Sequence, residues 1–316
     1  MNYSPSPLPI ARVRLTARAE APLQLPVYTG SMLRGAFGHA LLALSSLPHM
    51  QDQPCALQAV CPYCQIFATP PLPAHSLQKF SQMPHAYVIE PPFEGARSLQ
   101  AGDTFRFSLV LIGKALGFLP TIVVAWERAL RTGLNKQRVP CQLLTVTHEN
   151  GNVLWTMQDR RIMPIANTTP LPPAQTLKQQ ATLHLASPLR LQKNGKPARS
   201  HTLDARTLLI TLARRWQLLL DIHLGSSAPQ QDFSTLAALA TTIQLEAENL
   251  RWFDWGRFSQ RQQKEMKFGG LMGTLSLHGN LQPFSELLHI GQWLHVGKNT
   301  SFGLGGYRIE KKESIS

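Results

Sequence analysis

Twice along this chain the hydrophobic pattern changes period in the same order, and that order restricts the fold more than any other feature. Arg12-Val-Arg-Leu-Thr-Ala-Arg18 alternates apolar with basic residues, the mark of a half-buried strand. Leu33, Ala36, Phe37, Ala40, Leu41 and Leu44 then recur at helical spacing, with Ser31 as the predicted N-cap. Ala86–Ile89 and Phe105–Ile112 read as strands. Leu119, Ile122, Val123, Trp126 and Leu130 predict a second helix closed by Gly133, and Cys141–Val146 a final strand. The Pro- and Cys-rich stretch 48–84 reads as a long loop or insertion.

Residues 165–178, rich in Pro, Thr and Gln, read as a linker, after which the order returns. Ala181–Ala186 predicts a strand and Ala205–Leu220 a strongly amphipathic helix. Segment 226–240 is an inserted connection with some helical character. Ile243–Trp252 and Gly270–Leu277 predict a strand pair. Phe284, Leu287 and Leu288 predict a short helix with Pro283 in its first turn, and Tyr307–Glu310 the closing strand. The order β-α-β-β-α-β is ferredoxin-like. The expected fold is therefore α+β, two tandem ferredoxin-like domains at 1–160 and 175–316, with a glycine-rich loop in the second. No strict sequence repeat joins the halves, so element order alone carries this.

Length and charge agree. A chain of 316 residues suits two domains of roughly 150 residues each. The 31 Lys+Arg against 18 Asp+Glu give a net charge of +13, which favours a polyanionic partner. No run of about 18 apolar residues is present to cross a bilayer. Met1-Asn-Tyr-Ser-Pro-Ser-Pro7 lacks the basic start and apolar stretch of a signal peptide. The expectation is a cytoplasmic protein with no membrane partner. In that reducing setting Cys55, Cys61, Cys64 and Cys141 are not expected to form disulfides. Three lie close together as C-x5-C-x2-C, one short of a four-ligand zinc site unless Cys141, His49 or His75 joins them. The bland alternative is a set of small apolar side chains under a loop, and no metal or cofactor is expected.

Three segments carry polar chemistry. Gly297-Lys-Asn-Thr-Ser-Phe-Gly-Leu-Gly-Gly306 is glycine-rich, and glycines let backbone N–H groups approach a phosphate. It is no Walker loop: the G-x4-GK[ST] order is absent, and a strand follows where a helix should. Lys298 adds charge; Asn299 and Thr300 add hydrogen-bonding groups. A tight turn into an edge strand would look the same. The second segment, Arg257 to Gly270, places Arg257, Ser259, Arg261, Lys264 and Lys267 ahead of a Gly-Gly strand start; a solvated hairpin is the plain alternative. With His295, Gly297, Gly303 and Gly305, these residues are the expected RNA-contact set. The third, Gly30-Ser-Met-Leu-Arg-Gly-Ala-Phe-Gly-His-Ala-Leu41, puts Gly35, Gly38 and His39 away from the centre of its apolar stripe. Glycine inside a helix costs about 1 kcal/mol relative to alanine, so two on one face suggest close approach by another domain or by a nucleic acid backbone. A histidine there suits acid–base work; a surface histidine on a tightly packed helix is the alternative.

Together these segments resemble the CRISPR-associated precursor-RNA processing endoribonucleases, the Cas6 type of the RAMP superfamily. Leu33-Arg-Gly-Ala-Phe-Gly-His-Ala-Leu41, Cys61-Pro-Tyr-Cys-Gln-Ile-Phe67, Ser259–Gly273 and Leu294–Tyr307 carry the resemblance. It implies two ferredoxin-like domains and cleavage of CRISPR repeat RNA without a metal. It implies attack by an RNA 2′-hydroxyl, leaving 2′,3′-cyclic phosphate and 5′-hydroxyl ends. The partners implied are repeat RNA, mature guide RNA and subunits of a CRISPR effector complex. A catalytic histidine on or just after the first helix is implied, which His39 matches best, with His49 and then His295 behind it. Tyr28 and Arg34 are the supporting groups, Arg34 standing where relatives often use a lysine. Leu44-Ser-Ser46 replaces a cysteine that relatives carry there, which counts against a metal site. A non-catalytic RAMP subunit and a general single-strand RNA binder remain as competing expectations.

Overall fold

The computed structural model describes residues 8–45, 55–72, 75–79, 83–165, 171, 172, 174, 176–259 and 264–310. For 248, 257–259 and 264–268 it describes the backbone only. The chain divides into two compact units, Met1–Leu171 and Pro172–Ser316.

In the first unit, β1 (Ile10–Ala19) buries Ala11, Val13, Leu15, Ala17 and Ala19 on one face and turns Arg14 and Arg18 to solvent. Both its edges are used. β1 pairs antiparallel with β5 (Thr104–Ile112) from Ile10↔Ile112 to Arg18↔Thr104, and with β6 (Cys141–His148) through a bulge at Thr16/Ala17. With β3 (Tyr87–Glu90) and β7 (Val153–Thr156) the sheet runs β3-β5-β1-β6-β7. Without β7 this is the ferredoxin-like order. A separate pair, β2 (Leu23–Leu25) and β4 (Arg97–Leu99), was not anticipated.

Two helices cover the buried face. α1 (Gly30–Ala43) begins behind Thr29, whose side chain makes no cap hydrogen bond, so Ser31 is not the N-cap. α2 (Leu119–Thr132) starts with Pro120 in its first turn and ends at Gly133, whose positive φ of 105° an L side chain resists. Phe37 of α1 lies flat on Trp126 of α2, with centroids 4.9 Å apart and planes 9° apart. Phe107 of β5 closes on the same indole at 4.6 Å. On the other face Arg12 reaches Glu90 (2.8 Å) and Glu149 (2.9 Å), joining the ends of β1, β3 and β6. Burial works against this charge, but the two carboxylates outweigh it and raise the arginine pKa.

The second unit repeats the plan. β8 (Gln180–Leu185), β11 (Gln244–Ser259), β12 (Lys264–His278) and β13 (Tyr307–Ile309) form a sheet in the order β11-β12-β8-β13. A short pair, β9 (Gln192–Lys193) and β10 (Lys196–Pro197), precedes α3 (Ala205–Leu224), which Asp204 caps by accepting from Thr207 N–H. α4 (Phe233–Thr241) is the helical part of the inserted connection. α5 (Ser285–Leu294) runs past the predicted Leu288. Gly291 lets that happen: a Cβ there would meet the Tyr307 hydroxyl, which donates to the Leu288 carbonyl at 2.7 Å. Arg215 of α3, fully interior, donates to the last α5 carbonyl at Leu294 (2.9 Å), and burial pushes its pKa down to about 9.

Trp126→Ala removes the surface on which Phe37 and Phe107 stack. The expected loss is about 3–5 kcal/mol in urea unfolding, and a loss under about 1 kcal/mol would contradict this core.

Candidate nucleic-acid interface

The glycine loop's shape comes from its backbone contacts. The segment Pro188–Arg190 supplies them. Gly305 N–H donates to the Pro188 carbonyl (3.0 Å), and Lys298 N–H donates to the Arg190 carbonyl (2.8 Å). Leu189 exchanges both backbone hydrogen bonds with Leu271 at 2.8 Å each, and the Arg190 guanidinium donates to the Gly269 carbonyl (2.9 Å). Three residues therefore join the two segments that the sequence pairs, the Gly-Gly start at 269–270 and the loop at 297–306. Pro188 and Arg190 were not singled out; only an unremarkable Pro-Leu-Arg marks them.

These contacts explain several glycines. A Cβ on Gly297, at φ +96°, would meet the Arg190 carbonyl, and one on Gly305, at φ +75°, the Val296 carbonyl. Gly303 and Asn299 take left-handed conformations around the turn Thr300–Phe302. Ser187 Oγ donates to the Gly303 carbonyl (2.6 Å) and accepts from Gly306 N–H (2.8 Å). Thr300, Ser301, Gly303, Gly305 and Gly306 are buried. Their first task is to build the loop. Gly297, Lys298, Asn299 and Phe302 keep partial exposure and are its accessible part.

His295 is placed differently from its expected contact role. It is only 3% exposed, sits at φ 59° behind α5, and donates Nδ1–H to the Leu304 carbonyl (3.2 Å). Its ring fills the space beside Gly306, so it shapes the loop from within.

The basic segment is strand rather than free loop. Arg257, Ser259, Lys264 and Lys267 lie in β11 and β12, with Gly256↔Lys267, Arg257↔Met266 and Ser259↔Lys264 in register. Arg261 lies outside the described residues. The same hairpin carries Trp252, Phe253 and Trp255, all partly exposed, with Arg199 stacked on Trp252 at 3.6 Å. A Cβ on Gly269 would strike the Trp252 ring, so that glycine makes room for the indole. Aromatic and basic side chains on one hairpin suit stacking on bases beside phosphate contacts. The aromatics were readable as strand residues, but nothing in the sequence showed them partly exposed.

In the first unit, α1 presents His39 to solvent. Gly35, one turn earlier, has nothing within 4 Å of a Cβ among the described residues, so this face is open to them. Gly38 is not part of that opening. A Cβ there would fall on the Phe67 ring, so Gly38 answers to packing within the unit. Phe67 ends a π-helical turn, Tyr63–Phe67, inside the expected loop. It stacks with Tyr63 (5.4 Å), Tyr87 (5.8 Å) and His85 (6.3 Å), and the Arg34 guanidinium lies 4.4 Å over its centre. Arg34 is thus held beside the aromatic ladder, partly exposed. Tyr28 is 5% exposed, and burial, aided by the Glu90 charge, pushes its hydroxyl pKa far up. Its ring meets Phe93 edge-on at 6.2 Å, just ahead of α1. His49 lies outside the described residues.

The cysteines separate. Cys55, Cys61 and Cys64 cluster, while Cys141 starts β6 and donates its thiol to the Val139 carbonyl (3.6 Å), its pKa pushed up to about 12 by burial and the Glu20 charge. Burial and the two neighbouring thiols push Cys64 up to about 12. Burial also opposes ionisation of Cys61, but hydrogen bonds from Cys64, Tyr63 and Cys55 outweigh it and lower that pKa. His75 Nδ1 accepts from Leu77 N–H (3.3 Å) and is not among the clustered groups.

The comparisons with known proteins follow this division. A family model described as an N-terminal domain matches residues 8–167, and the model of the CRISPR-associated endoribonuclease Cas6 matches residues 183–307. A Cas6 product complex is similar over 95% of this chain and 100% of its own, with TM-score 0.59 and 17% identity. Thermus thermophilus Cas6 is similar over 96% of this chain and 100% of its own, at TM-score 0.51 and 16% identity. A partial Cas6-RT-Cas1–Cas2 complex aligns with 98% of this chain and 47% of the other, at TM-score 0.55 and 14% identity. No curated protein sequence matches the chain. At such identities the structural likenesses establish the fold, two ferredoxin-like units in tandem.

Two glycine variants separate shape from access. Gly305→Ala forces a Cβ into the Val296 carbonyl at positive φ and is expected to cost more than about 2 kcal/mol in thermal or urea unfolding. Gly35→Ala meets open space on a helix and is expected to leave stability equal or raise it by up to about 1 kcal/mol.

Proposed function

We propose that the chain, whose residues 183–307 match the model of the CRISPR-associated endoribonuclease Cas6 and whose fold is that of solved Cas6 structures, is an endoribonuclease of that family and cuts CRISPR repeat RNA within precursor transcripts, without a metal in the chemistry, to release guide RNAs. An RNA 2′-hydroxyl attacks the adjacent phosphorus. The bond to the 5′-oxygen breaks, leaving a 2′,3′-cyclic phosphate and a 5′-hydroxyl.

The observation that carries the assignment within the family is His39, an exposed imidazole on a helix whose other face is fixed in the core by Phe37 and Trp126. An imidazole can remove the 2′-hydroxyl proton or protonate the departing 5′-oxygen near neutral pH. A rigid helix suits this work, because catalysis depends on a held geometry. The open side at Gly35 leaves space for a phosphodiester beside it. Arg34 carries a permanent positive charge and transfers no proton, so its part is to stabilise charge on the phosphorane. In the second unit, Lys298, Asn299 and the β11–β12 hairpin are the proposed RNA contacts. Their role is to fix the register of the strand to be cut.

The test is incubation with repeat RNA from the protein's own CRISPR array in EDTA, with product ends mapped. One cut with a cyclic phosphate end is expected. His39→Ala should slow cleavage by roughly 10²–10⁴-fold while RNA affinity stays within a few-fold. Full activity in that variant would remove His39 from the mechanism. Binding without any cleavage by the intact protein would favour a structural RNA-binding subunit. RNA affinity should fall linearly in a log–log plot against salt with a slope of about −0.7 per phosphate neutralised, and Lys298→Ala should make that slope shallower.

A further inference from the structure

Three cysteines in the first unit have no part in the cleavage reading. Cys55, Cys61 and Cys64 are in no disulfide, and their Sγ atoms all lie within 4.8 Å of one another. Cys61 and Cys64 are buried and Cys55 half-buried. Hydrophobic packing places small thiols anywhere in a core, without aiming them at a common point. These three converge, and the turn between two of them is shaped for it. In Cys61-Pro-Tyr-Cys64 the Gln65 N–H donates to the Cys61 carbonyl (2.9 Å), and this turn brings the Cys61 and Cys64 sulfurs together. A disulfide would use two of the three sulfurs and leave the third beside it unexplained.

We infer that Cys55, Cys61 and Cys64 hold one zinc ion through three thiolates, with a small exogenous donor such as water in the fourth position. Thiolates are soft ligands that select thiophilic ions, and zinc accepts three protein ligands plus one outer donor. Zn–S bonds of about 2.3 Å place tetrahedral sulfurs about 3.8 Å apart, so closing the cluster takes a shift of about 1 Å at most.

The ion would have a definite mechanical task. Cys64 lies inside the turn Tyr63–Phe67, and Phe67 at its end packs into the space left by Gly38 and under Arg34. Tying Cys55 to Cys61 and Cys64 fixes this turn against α1, the helix that carries His39. The site is therefore a structural clamp on the turn that packs against α1. Cys141 and His75 are not among the clustered groups.

The test reads metal directly on the full chain, without RNA. Untagged protein is expressed with zinc in the medium and purified under reducing, anaerobic conditions. Elemental analysis should find about one zinc per chain, and under about a tenth of that in the double variant Cys61→Ser/Cys64→Ser. That variant can fail to fold, so the wild-type chain is also stripped of metal and titrated with Co²⁺. A thiolate-to-cobalt charge-transfer band with the d–d pattern of a tetrahedral site should appear, saturate at about one equivalent and vanish when zinc is added. Adding zinc to stripped protein should raise its melting temperature with concentration. Zinc-free protein that shows no such cobalt spectrum would overturn the inference. So would a Cys61–Cys64 disulfide in the freshly purified protein, or copper in place of zinc.

Discussion

A short piece of backbone, Pro188–Arg190, is hydrogen-bonded on both sides, and the candidate RNA-contact surface of the second unit depends on it. One side receives Gly305 and Lys298, the other exchanges hydrogen bonds with Leu271, and the Arg190 side chain adds Gly269. Backbones approach this closely only where no Cβ intervenes, which is why Gly270 and Gly297 stand against this segment, while Gly305 clears the Val296 backbone. Buried peptide groups must find partners, and here the loop and the hairpin supply partners to the same segment. The accessible part at Lys298, Asn299 and Phe302 is thereby held on a fixed support. Ser187 and His295 complete the support by bonding the loop's carbonyls from inside.

The first unit reaches the same end through side chains. Phe37 and Trp126 lock α1 to α2, and Phe67 enters beside Gly38 from the other side. A helix pinned at two faces has little freedom left, so the groups on its third face, Gly35 and His39, hold their positions. Arg34 stacks on the ring that pins the helix, and its charge is positioned by the same packing. Glycine plays opposite parts within four residues: Gly38 admits a neighbour from the same unit, while Gly35 leaves open space.

Much of this was legible from periodicity. The alternation in Arg12–Arg18, the helical spacing of Leu119–Leu130 and the stripe along Ala205–Leu220 each predict the element found, because burial of one face repeats at the period of the backbone. Short elements escaped. β2, β4, β7, β9 and β10 span two to four residues each, too few to establish a period. The strands of the hairpin run further into the basic segment than expected, since charge there suggested a solvated loop while backbone pairing with β12 continued. α5 continued through Gly291 because Tyr307, sixteen residues on, needed the space a side chain would have filled.

By itself, the sequence determined the element order, the doubled ferredoxin-like plan, the basic character and the family signatures at both ends, since all of these are written in local pattern and composition. Tertiary structure alone decided which residues of those signatures face outward. His295 and Tyr28 turn inward and His39 outward; three of the four cysteines gather and Cys141 does not. The reason is physical: residue type and spacing set what a side chain can do, but burial depends on what other parts of the chain pack against it. Those partners, Leu304 for His295 and Phe67 for Gly38, lie nine and twenty-nine residues away, beyond the reach of any local period.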